Sequence, residues 1–225
     1  MTREPGATAG RLTAWLALVG VLIALAYASY ALQEDQTSSS DLFYHWDLFV
    51  GGLVQDGLLL GILLLIVRGG PARELLALRR PHSWLRAAGW MLLILVAIWM
   101  IGAILDPFLH AGDEQGLVPD RWRPEDAAPF AANLAFTMIA VPVVEEMTFR
   151  GAGYSLLIAR YGKGVAIVGT AVLFGLVHGL VLALPVLVAF GLGLAWLRYR
   201  TDSVYPGMIL HGTFNGLAIV LAVTL

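Results

Sequence analysis

Seven apolar stretches, near residues 12–32, 48–67, 88–105, 128–160, 164–182, 184–198 and 204–225, leave this chain essentially one kind of fold. A helix needs about 20 apolar residues to cross the hydrocarbon core of a bilayer, where every backbone polar group must be bonded internally. The expected fold is all-α: a polytopic transmembrane helix bundle of about seven spans. Composition excludes a soluble reading, because only 13% of the 225 residues are charged and 59% are hydrophobic, against about 25% charged in soluble domains. A net charge of −2 offers no basic field for nucleic acid. Cysteine is absent, which removes disulfides, thiolate metal sites and cysteine nucleophiles together. The first stretch has the look of a signal peptide, but it runs into Leu32-Gln33-Glu34 without a small-residue cleavage pattern. It is read as an uncleaved first span.

The loops set an expected orientation. Arg68, Arg73, Arg79, Arg80 and Arg86 crowd one loop with Glu74, whereas 33–47 carries Glu34, Asp35, Asp41 and Asp47 and no basic residue. The segment 106–127 holds six acids against Arg121 and Arg123. The positive-inside rule then puts the N-terminus, 68–87, 161–163 and 199–203 in the cytoplasm and the C-terminus outside. Acidic outer loops and a basic inner loop in a short chain fit a plasma-membrane protein, of the bacterial inner membrane. The segment 71–87, with Leu75, Leu76 and Leu78 between arginines, is expected to lie on the headgroups as an amphipathic helix. The fourth stretch exceeds one straight crossing and contains Pro142, so a kink or a lead-in surface helix is expected there. Two regions follow: a three-span N-terminal region over 1–127, and a second membrane domain over 128–225.

Charged groups inside spans cost about 2.5–3.5 kcal/mol each on insertion scales and mark function. The fourth span carries Glu145, Glu146 and Arg150. Glu146 and Arg150 are four apart and can pair along one helix face, while Glu145 lies about 100° around the helix. This division suggests support from Glu146 and Arg150 and chemistry from Glu145, although both acids could share the arginine in a packing network. The fifth span holds His178, one helical turn after Phe174. With a cytoplasmic turn near 161–162, Glu145 and His178 fall at similar depth in an antiparallel hairpin, about 24 Å from the turn. The last span places His211 and Asn215 on one face. His45, His82 and His110 fall in loops. A buried carboxylate can act as general base toward water, and imidazole and amide groups can donate to a developing oxyanion. No cysteine and no deep serine is available in these spans, so direct attack by water is favoured over an acyl-enzyme. The His-Glu-x-x-His zinc pattern is also absent.

These residues resemble the CPBP family, also called the Abi family, of type II CaaX prenyl endopeptidases and bacteriocin-processing enzymes. Its Glu-Glu-x-x-x-Arg, Phe-x-x-x-His and His-x-x-x-Asn motifs match, in order, Glu145-Glu146 through Arg150, Phe174 through His178, and His211 through Asn215. The resemblance covers roughly 128–220 and implies an intramembrane endopeptidase with its site among the fourth, fifth and seventh spans. It implies Glu145 as the water-activating carboxylate with His178 as its partner. His211 and Asn215 become the oxyanion pair, supported by Glu146, Arg150 and Phe174. Zinc is left open as a cofactor, as the family is customarily named as metalloproteases. Its ligands would be Glu145, His178 and His211, but Asn215 is a poor zinc ligand and a good oxyanion donor, which favours a metal-free glutamate mechanism. The implied partners are the lipid bilayer and a membrane-anchored peptide or protein substrate. Gln55 and Asp56 in the second span have no role in this reading, and they keep a proton- or ion-coupled transporter as the alternative, beside a non-catalytic membrane scaffold.

Overall fold

The computed structural model describes residues 6–32, 39–110, 119 and 121–224, and the regular structure among them is entirely helical. Helices α1 (Ala9–Leu32), α2 (Trp46–Val67) and α3 (Trp84–Leu109) precede a continuous helix α4 (Pro124–Leu176). Helices α5 (Leu184–Thr201) and α6 (Tyr205–Thr224) complete the bundle. By length and composition, α1, α2, α3, α4 and α6 are apolar enough to cross a membrane. The polytopic all-α bundle is thus as expected.

The expected count of seven spans resolves into five such helices because α4 contains two legs. It folds back at Gly162, whose φ of 83° and ψ of 175° are not helical. Phe149 meets Phe174 at 5.6 Å between ring centroids, and Leu157 lies against Gly169. Both pairings are nearly symmetric about residue 162, as in an antiparallel hairpin. The second leg ends at Leu176 instead of the expected 182, at about 20 Å of rise. Gly179 explains the early stop. It has φ of +67° and sits so close to the Ala26 carbonyl that a Cβ would come within 2.9 Å of it.

Side-chain contacts gather the basic segments at one end. Arg11 donates to the carbonyls of Ile66 (3.2 Å) and Arg68 (3.1 Å), and Lys163 lies over Tyr199. Arg79 pairs with Asp202 at 2.6 Å, and Arg198 reaches the same carboxylate at 2.8 Å. Burial alone would push the Asp202 carboxyl up, but the hydrogen bonds from Arg79 and Arg198 prevail and hold it below the usual carboxylate range. At the other end Asn133 donates to the carbonyls of Phe43 (2.9 Å) and His45 (3.0 Å), and the Tyr44 hydroxyl donates to the Arg121 carbonyl. Residues 111–118 and 120 of the acidic segment 106–127 lie outside the described residues.

The expected amphipathic helix over 71–87 is corrected to a single turn, Ala72–Leu75, followed by irregular chain. Leu75, Leu76 and Ala77 are fully buried among the helices. Consecutive apolar residues point around a helix rather than along one stripe, so they cannot form a headgroup-facing amphipath. They plug the basic end of the bundle instead, with the Leu76 backbone against Gly151, where a Cβ would come within 2.9 Å of the Leu76 carbonyl oxygen.

Candidate active site

Two widened, π-type turns bracket the acidic residues of α4, at Phe136–Ala140 and Met147–Gly153, with the α-helical segment Val141–Glu146 between them. Pro142 accounts for the first. It has no N–H to donate, and the Val141 N–H goes to the Phe136 carbonyl, so the Thr137 carbonyl is left without a backbone donor. The Asn215 side-chain amide supplies the missing hydrogen bond at 3.1 Å. The expected kink or lead-in helix is therefore realised as a wide turn within a continuous helix. At the second wide turn, the carbonyls of Thr148 and Arg150 accept from Trp15 Nε1 (2.9 Å) and Arg198 Nε (3.1 Å). Such outside donors are what a loosened helix needs in a medium without water.

The charged groups converge between these turns. Arg150 donates to Glu146 Oε1 at 2.9 Å, and both side chains are completely buried. A second guanidinium nitrogen donates to the Gly191 carbonyl of α5 at 3.1 Å, and the group lies 4.2 Å from the centre of the Phe174 ring. The His211 ring stands between the two glutamates. Its Nδ1 is 3.3 Å from Glu146 Oε1, and its Nε2 is 3.6 Å from Glu145 Oε2. Gly207, one turn earlier on α6, makes this approach feasible, since a Cβ there would come within 2.5 Å of Glu146 Oε2. Phe174 is the shared wall, in edge contact with both His178 (4.8 Å) and His211 (5.6 Å).

His178 lies in the turn just after the end of α4, not within a helix as its place in the fifth apolar stretch suggested. Its Nδ1 is 2.7 Å from the Phe174 carbonyl. A carbonyl only accepts, so Nδ1 carries the hydrogen and Nε2 is left for other partners. Glu145 is half-buried, and its Oε2 has no hydrogen-bond partner among the described residues. Asn215 follows His211 by one turn and is also half-buried. Direct contacts thus join Glu145, Glu146, Arg150, Phe174 and His211. His178 enters through Phe174, and Asn215 through the Thr137 carbonyl.

Close packing of α6 on α4 depends on Gly212. A Cβ there would stand 2.1 Å from the Met138 carbonyl oxygen, which is backbone and cannot yield. Gly212→Ala is expected to push His211 away from both glutamates and to lower the cleavage rate about 100-fold, the scale of a misplacement near 1 Å. At Gly216 the obstacle is the flexible Met138 side chain, so Gly216→Ala should be far milder. Cleavage rates and thermal unfolding of the two variants, measured side by side, check the contrast.

Residues 127–217, which carry every one of these α4 and α6 groups, match the family model described as Rce1-like: Type II CAAX prenyl endopeptidase Rce1-like. Over this segment the chain belongs to the type II CAAX prenyl endopeptidase family. The members are hydrolases acting on peptide bonds, and the helical bundle described above is the multi-pass membrane setting that an intramembrane CAAX-type protease requires. Neither the curated proteins nor the solved structures contain a match to the chain.

For a CAAX-type endopeptidase of this kind a zinc ion held by Glu145, His178 and His211 was an open option. Among the described residues no three histidine, aspartate or glutamate side chains are grouped as metal ligands, and one ring nitrogen of each histidine is already directed at another partner. No step below is routed through a metal.

Sequence reasoning undervalued two members of the cluster. Glu146 holds His211 as well as Arg150, a link that no local spacing could show. Asp56 on α2 is buried, its Oδ2 has no hydrogen-bond partner among the described residues, and it lies within electrostatic reach of Glu145. Its neighbour Gln55 is exposed on the outer side of α2. An acid in an otherwise apolar span was the signal that pointed to Asp56.

Proposed function

We propose that Glu145 activates a water molecule for direct attack on a peptide bond of a membrane-anchored peptide or protein. The observation that carries this reading is the His211 ring held between Glu145 and Glu146, each ring nitrogen facing a carboxylate oxygen. That is the arrangement of a doubly protonated ring, which can donate Nε2–H to a developing oxyanion. In the proposed sequence, His178 Nε2 accepts one hydrogen of the water and Glu145 takes the other as the oxygen attacks the carbonyl carbon. His211 Nε2–H and the second amide hydrogen of Asn215 stabilise the resulting oxyanion. Glu145 then returns its proton to the leaving amine as the C–N bond breaks. Glu146 and Arg150 orient His211. The reading also takes the basic end of the bundle as cytoplasmic, with the chain in the plasma membrane.

The test is cleavage of a panel of membrane-anchored and prenylated peptides by the purified protein and its Glu145→Gln variant, each with and without a zinc chelator. Cleavage by the wild type alone, unaffected by the chelator, supports the metal-free glutamate mechanism. Loss on chelation would replace it with a metal-assisted one. Equal cleavage by both forms would sink the role of Glu145.

A further inference from the structure

At the basic end, away from the catalytic groups, a small cavity of about 60 Å³ opens between the start of α3 and the end of α5. Its walls include His82, Ser83, Arg86, Trp90, Arg200 and Thr201. The Arg200 guanidinium lies 4.9 Å from the Trp90 ring centre and 5.4 Å from that of Trp196, and the two indoles meet edge to face at 4.9 Å. Stacking holds the guanidinium plane while leaving its N–H edge free for an oxyanion. Arg86 stands in the first turn of α3, and its backbone N–H is capped by Ser83 Oγ at 3.3 Å. The other first-turn N–H groups of this 26-residue helix add partial positive charge at the same place.

Nothing nearby neutralises this charge. Among the described residues neither Arg86 nor Arg200 pairs with a carboxylate, and the adjacent Asp202 is already held by Arg79 and Arg198. The volume is that of about two water molecules in the liquid, which suits one tetrahedral oxyanion and nothing larger. Trp84 and Leu85, on the same first turn, are exposed and apolar on the outside of the bundle, with Leu85 85% exposed. A ligand here is therefore offered two arginines for an anion and an adjoining apolar surface for hydrocarbon, at the level where the spans meet the headgroups.

We propose that this cavity binds the phosphate of an anionic phospholipid headgroup, whose acyl chains run along Trp84 and Leu85. Arg86 and Arg200 bind the phosphate oxygens. Occupancy ties the start of α3 to the end of α5, the helix whose Arg198 caps the Arg150 carbonyl at the active site.

Native mass spectrometry of the detergent-purified protein tests this with three probes: phosphatidylglycerol, phosphatidylcholine and inorganic phosphate. The wild type is expected to retain phosphatidylglycerol over phosphatidylcholine. Arg86→Gln should weaken retention about fivefold, and Arg86→Gln with Arg200→Gln about fivefold more, at roughly 1 kcal/mol per basic residue near a headgroup. Arg86 is exposed, so its single variant should fold and keep its peptide-cleaving activity; that variant alone decides the matter should the double variant unfold. Equal retention of phosphatidylglycerol by wild type and Arg86→Gln would overturn the proposal. Displacement of the lipid by equimolar inorganic phosphate would overturn it as well, by making the site one for a soluble anion.

Discussion

Glu145→Gln is expected to lower kcat by about 10²–10⁴-fold, the range attributed to a positioned general base, with little change in stability. The amide is isosteric with the carboxylate but cannot take a proton from water. Folding should tolerate the change, because Glu145 Oε2 has no hydrogen-bond partner to lose among the described residues and the side chain keeps 19% of its exposure. Its neighbour His211 retains the contact with Glu146. Turnover of a cleaved peptide, together with thermal unfolding of both forms, separates the two consequences. A variant that is inactive because it has unfolded would speak against this account, and so would one that remains fully active.

Arg150→Met should have the opposite profile, a loss of about 3–5 kcal/mol in stability. This is the scale for removing one partner of a buried ion pair and leaving the other uncompensated. Arg150 is wholly buried and serves Glu146, the Gly191 carbonyl and the face of Phe174 at once. Without it the Glu146 carboxylate has only His211. Adding Glu146→Gln to Arg150→Met removes the stranded charge, and the double variant should regain most of the lost stability. Denaturant unfolding of the single and double variants gives the coupling directly. If both are equally destabilised, packing against Phe174 rather than charge is what Arg150 contributes.

Much of this arrangement was legible because it is periodic or local. The apolar stretches marked the helices, and the i, i+4 spacing of Glu146 with Arg150 and of His211 with Asn215 is a property of one helix. Counting outward from the turn at 161–162 put Glu145 and His178 at matching levels, and the hairpin at Gly162 pairs Phe149 with Phe174 as that count implies. What sequence could not show depends on contacts between distant elements. Glu146 with His211, Trp15 with the Thr148 carbonyl and Asp56 near Glu145 each join residues from different helices. The burial of Leu75, Leu76 and Ala77 likewise follows from the space left at the end of the bundle, whereas their arginine neighbours suggested a surface. His178 was misjudged in its setting because hydropathy continues past Leu176 while the helix does not.

A wide turn holds one residue more than an ordinary one, and that surplus has a consequence for how this helix tolerates change in length. Val141–Glu146 lies between two such turns. Deleting one residue from Phe136–Ala140 would let that turn relax to the ordinary pitch and rotate everything beyond it by about 100° relative to the preceding part of α4. Glu145 and Glu146 would then change places around the axis with respect to α2 and the N-terminal half of the helix. A single-residue deletion there is expected to abolish cleavage while leaving a helix of nearly unchanged hydropathy, detectable as an inserted but inactive protein. Angular phase, more than the identity of the residues removed, is the quantity this stretch of chain conserves.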